Sequence, residues 1–113
     1  MTTVAQIRRA ASSLPGVVER SDFDLPSFHV GGRAFVTVRR GRSHALLRLP
    51  PDDARTVVAA DPAVFQEVHH LKRHVGVLVD LAGVDADRLT QLIGCAWRHA
   101  APRHLLGEDD PAP

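Results

Sequence analysis

The sequence predicts an α+β domain: a two-layer arrangement of an antiparallel sheet with helices packed on it, in the order α-β-β-β(-β)-α-β-β-α. Three observations predict it. The apolar period is helical at the start of the chain, becomes two after Pro15-Gly16, and is helical again from Leu89 to Ala100. The alternating segments are joined by short turns at Gly31-Gly32 and at Arg39 to Ser43, and short turns join antiparallel neighbours. Finally, 113 residues with 44% hydrophobic content make one core, since a chain of this size buries roughly two-thirds of its unfolded surface.

The first helix is expected over Thr3 to Leu14. Thr3 and Gln6 have capping-box spacing, and Val4, Ile7, Ala10, Ala11 and Leu14 form one apolar stripe. Pro15-Gly16 ends it, because proline disfavours a helical residue before it. Val17 to Asp22 alternates as an edge strand. Phe28 and Val30, then Ala34, Val36 and Val38, mark two further strands, with Phe35 and Thr37 on the opposite face of the second. His44 to Leu49 follows the second turn. Pro50-Pro51-Asp52-Asp53 opens another helix, with proline in the first turn and acids favouring the helix dipole, and Asp61-Pro62 closes it near Ala60. Phe65 to His70 and Val75 to Leu81 are the last strands. Asp85 caps a final helix, Ala86 to about Ala100, whose stripe is Leu89, Leu92, Ile93, Ala96, Trp97 and Ala100. The domain spans 1–106, and Gly107 to Pro113 reads as a disordered acidic tail.

Composition narrows the function classes. A lone Cys95 excludes an internal disulfide and fits a reducing compartment. The first residues lack the apolar run of a secretory signal, and no stretch approaches the ~18 apolar residues of a membrane span, so a cytoplasmic, membrane-free location is expected. The net charge of +1 is low for a dedicated nucleic-acid binder, yet its distribution is uneven. Between Asp24 and Asp52 there is no acid, while Arg33, Arg39, Arg40, Arg42 and Arg48 all fall there.

Several segments resemble the MmcQ/YjbR family in the short form common in actinobacterial proteins. They are Ala11 to Glu19, Pro26 to Phe35, Ala60-Asp61-Pro62 with Val64-Phe65, Val77 to Leu81, Ala96-Trp97-Arg98 and Ala101-Pro102-Arg103. The resemblance covers about Val4 to Leu106. It implies a two-layer fold around an antiparallel sheet, DNA binding as the function, and no catalytic constellation. One difference concerns the region before Val77, where similar proteins usually carry an aromatic residue and this chain has Lys72-Arg73-His74-Val75-Gly76.

The residues that carry chemistry fit that expectation. Arg33, Arg39, Arg40, Arg42 and Arg48, with Lys72 and Arg73 assisting across the sheet edge, are expected to contact phosphates, because guanidinium groups on a β-hairpin suit them. On a regular strand Arg33, Phe35, Thr37 and Arg39 share one face. The alternative is an interaction or small-ligand module with a sheet-face pocket lined by Phe28, Phe35 and Trp97. His69, His70 and His74 have only Glu67 as a nearby acid, and are expected to be structural or surface residues rather than metal ligands, with His70 and His74 on one face. Cys95 lacks a thiolate-stabilising setting, and Trp97 is expected in the core, where its N–H needs a partner, with a pocket edge as the alternative. The sequence therefore leads to a non-catalytic domain, monomeric or weakly dimeric, with no cofactor, DNA as the expected partner and no protein partner identified.

Overall fold

A computed structural model describes residues 2–22 and 24–105, so the expected acidic tail from Gly107 lies outside the described residues. The elements are α1 (Val4–Ser12), β1 (Val17–Asp22), β2 (Leu25–Val30), β3 (Arg33–Val38), β4 (His44–Leu47), α2 (Pro51–Ala60), β5 (Phe65–His70), β6 (Arg73–Asp80) and α3 (Ala86–Ala100), then a 3-10 turn at Arg103–Leu105. This is the predicted α+β order. The strands form one antiparallel sheet in the order β1-β2-β3-β4-β6-β5. No described helix is long and apolar enough to cross a membrane.

Local chemistry sets the ends of the elements. Thr3 Oγ1 accepts from the Gln6 N–H at 3.2 Å, and Gln6 Oε1 accepts from the Thr3 N–H at 2.7 Å, which closes the capping box of α1. Asp85 caps α3 by accepting from the Arg88 N–H at 3.1 Å. Gly31 and Gly32, at φ 58° and 79°, make the two-residue β2–β3 turn, which needs positive φ at both positions. Arg8 on α1 grips Glu19 on β1 through Nε and Nη2 at 2.9–3.1 Å, and this bond and charge raise the arginine pKa above its ordinary value.

Register divides the sheet into two faces. Phe28, Val36, Leu47 and Val77 pair in one row across β2, β3, β4 and β6, and Val38, Ala45, Val79 and Phe65 make a second. All are buried and share one cluster with Ile7 and Ala11 of α1, Ala54 and Val57 of α2, and the predicted stripe of α3. The helices therefore cover one face. Each fully buried aliphatic or phenyl side chain there contributes about 1.5–3 kcal/mol of apolar burial. The opposite face carries the row Ser27, Thr37, Leu46, Leu78 and Gln66. Leu46 is buried but stands outside the main cluster.

Two irregularities change the expected faces. The β2–β3 register shifts between Phe28 and His29, whose partners are Val36 and Ala34, so Phe35 is an extra residue in β3. Phe35 is fully buried instead of sharing an exposed face with Thr37 and Arg39. A second shift lies between Val68 and His69, whose partners are Gly76 and His74, leaving Val75 extra in β6. That strand starts at Arg73, not Val75, and the β5–β6 turn consists of Leu71 and Lys72 alone.

Candidate nucleic-acid interface

The face without helices is hollow. Its floor is formed by Thr37, Leu46, Val68, Val75 and Leu78, which lie in two adjoining concavities of about 620 and 530 Å³. The first is bordered by Arg39, Arg40, His44 and Leu25, and the second by Arg39, Arg48, His69 and His70. Thr37, Arg39 and Val68 belong to both, so they form one depression along the sheet. Ser27 adds a polar patch on this face, its hydroxyl 3.0 Å from His29 Nε2 and 3.4 Å from Thr37 Oγ1.

Arg48 joins this depression to a third cleft of about 390 Å³ bordered by Arg33, Leu49, Pro50, Val75 and His99. Arg33, Arg48, Arg39 and Arg40 thus follow one continuous track from the start of β3 to the β3–β4 turn. Among the described residues none of the four pairs with a carboxylate, and all are exposed. Their donors are free for an anion, and guanidinium forks match phosphate oxygens.

The remaining basic residues lie elsewhere. Arg42, at φ 59°, turns back and donates from Nη2 to the Asp24 carbonyl at 3.2 Å, which ties the β3–β4 turn to the β1–β2 turn. Lys72 in the β5–β6 turn and Arg73 at the start of β6 lie at one end of that strand, whereas the Arg39–Arg42 turn lies beside its other end, where His44 pairs with Asp80. The length of β6 separates them from that turn by roughly 20 Å, and they lie at the end of the sheet where β3 begins with Arg33.

The expected pocket of Phe28, Phe35 and Trp97 is also corrected. Both phenyl rings are fully buried, and Trp97, 7% exposed, donates its indole N–H to the Pro15 carbonyl at 2.9 Å. All three build the core. The hollow face is the other one, and its floor was partly legible: the run Ala45-Leu46-Leu47 is apolar at consecutive positions, the pattern of a strand buried on both faces. The histidine expectation changes as well. His70 pairs with Arg73 and His69 with His74, so His74 shares its side with His69 and Glu67, not with His70.

An arginine-bordered hollow on an antiparallel sheet, with helices confined to the far face, defines a one-sided α+β fold. Its sequence matches the family model described as YjbR over residues 12–99, and the chain belongs to that family. It is similar to the crystal structure of Deinococcus radiodurans protein DR2400, a DUF419 domain. The TM-score is 0.76 at 25% identity, with 92% of this chain and 82% of that one covered. Comparison with curated proteins gives no match.

Proposed function

We propose that the chain is a non-catalytic DNA-binding module whose arginines hold phosphates along the open sheet face. The observation that supports this reading is the position of Arg48, which borders both the cleft with Arg33 and the hollow with Arg39. It makes one basic track out of residues on β3, on the β3–β4 turn and just after β4. The mechanism is electrostatic: each phosphate neutralised releases counterions. Base-specific readout is not part of the proposal, because the helices lie on the opposite face and no described helix is presented to a groove.

A second reading is favoured by the apolar floor of Leu46, Val68 and Leu78, which suits a small anion with an apolar body. Salt separates the two. If Arg33, Arg39, Arg40 and Arg48 each meet one phosphate, affinity falls on the order of a hundredfold between ~50 and ~200 mM salt. A small ligand held mainly by the floor changes far less. The test is fluorescence anisotropy of labelled duplex and single-stranded DNA at both salts, with the wild type and the Arg39→Ala/Arg40→Ala/Arg48→Ala variant. A steep salt dependence that flattens in the variant supports the proposal. No binding at the lower salt, or an unchanged slope in the variant, refutes it.

A further inference from the structure

The β5–β6 hairpin holds a group of side chains that the DNA reading does not use. Its two-residue turn forces direct pairing of the strands: His70 faces Arg73 and His69 faces His74, with Glu67 opposite Val77. The bulge at Val75 brings Glu67, His69 and His74 to one place. Glu67 Oε2 lies 2.8 Å from His74 Nδ1 and 3.2 Å from His69 Nε2, and the ligand atoms of all three lie within 4.8 Å of one another. The two imidazole rings meet edge to face with centroids 5.8 Å apart.

The tautomer of His74 follows from its other neighbour. His74 Nε2 lies 2.6 Å from the carbonyl oxygen of Leu49, which can only accept, so Nε2 carries a proton and donates it. In a neutral ring Nδ1 then carries a lone pair, and that lone pair faces a carboxylate oxygen at 2.8 Å. Two acceptors at this distance repel unless a positive charge lies between them, and a proton or a metal ion supplies it. Backbone hydrogen bonding of the remote ring nitrogen is also how a metal-bound histidine is oriented and its basicity raised.

We propose that Glu67, His69 and His74 bind a divalent transition-metal ion, with zinc the best match. Two imidazoles and one carboxylate are borderline ligands that suit zinc, whereas calcium and magnesium prefer an all-oxygen shell. The separations fit as well. Zinc bonds of about 2.0–2.1 Å give tetrahedral edges of roughly 3.3 Å, so small rotations of these side chains admit the ion. Three protein ligands leave a fourth position for water or an added ligand. The His74 side chain is 16% exposed, Glu67 22% and His69 50%, so the ion enters from the His69 side.

The experiment is calorimetric titration of zinc chloride into the full, tag-free, chelator-treated chain, together with cobalt(II) absorption as a readout of coordination. Wild type is expected to bind one zinc per chain and to give the visible bands of low-coordinate cobalt. His69→Ala and Glu67→Gln should weaken zinc by at least about tenfold and lose those bands. His69 is half exposed, so its alanine variant leaves the core untouched, and circular dichroism verifies the fold of both. His70→Ala, which removes the neighbouring histidine paired with Arg73, should bind as wild type does. Absence of stoichiometric binding, or equal binding by His69→Ala and Glu67→Gln, overturns the proposal. Loss of binding in His70→Ala alone overturns the assignment of ligands.

Discussion

Gly76→Ala changes one hydrogen to a methyl group in β6 and should destabilise the fold strongly. Leu47 is the last residue of β4, and its carbonyl accepts from the Leu49 N–H at 3.0 Å as the chain turns towards α2. That turn passes directly over Gly76. A Cβ there would lie 2.2 Å from Leu47 O, 3.1 Å from Leu47 C and 3.3 Å from Arg48 Cα. All three atoms are backbone, so no side chain can rotate away, and β4 and β6 must separate. Overpacking of this kind costs about 1–3 kcal/mol. A weakened ladder bond adds about 1 kcal/mol. The reduced entropy of the unfolded chain returns about 0.4–1 kcal/mol. The net loss is about 2 kcal/mol or more, equivalent to a melting temperature lower by roughly 10 °C. Urea unfolding of both proteins at one pH measures it. A variant within about 0.5 kcal/mol of wild type would refute the close approach.

Three further predictions use other contacts. Gly94→Ala is the same chemical change in α3, where nothing lies within 4 Å of the added Cβ, and it should stabilise by about 0.5–1 kcal/mol in the same assay. Leu71 and Lys72 hold φ of 52° and 67°, and Leu71 is 83% exposed, so replacing the pair with Asn-Gly should raise the melting temperature. A gain of at least about 1 kcal/mol is expected, and a loss would contradict the turn geometry. Trp97→Phe keeps most of the ring but removes the donor to Pro15 O at 2.9 Å, at a cost of about 1–3 kcal/mol by denaturant titration.

The element order was legible because each signal has one local cause. The Thr3–Gln6 box, the paired glycines at 31 and 32, the Asp85 cap and the apolar stripe of α3 each depend on neighbours only a few residues away. The faces of β3 and β6 were not legible. A bulge removes the period-two rule locally, and the sequence carries no mark of the extra residue at Phe35. That single shift turns Phe35 into the core and breaks the expected row with Arg33 and Arg39. Gly76 was the available sign of irregularity, since an isolated glycine inside a strand points to a bulge or a close backbone approach. The arginines were found as a cluster in sequence, but their grouping depends on strand order. Arg48 borders the cleft of Arg33 and the hollow of Arg39, while Lys72 lies at the far end of β6 from the Arg39–Arg42 turn. The convergence of Glu67 with His69 and His74 likewise required the hairpin register.

Whether the open sheet face receives phosphates, as proposed, is tested by titrating the 15N-labelled chain with a short DNA duplex and following amide chemical shifts. Shifts are expected to concentrate at Arg33, Thr37, Arg39, Arg40, Leu46, Arg48 and Val68, and to disappear as salt is raised. Shifts confined to the helical face, or none at low salt, would contradict the proposal.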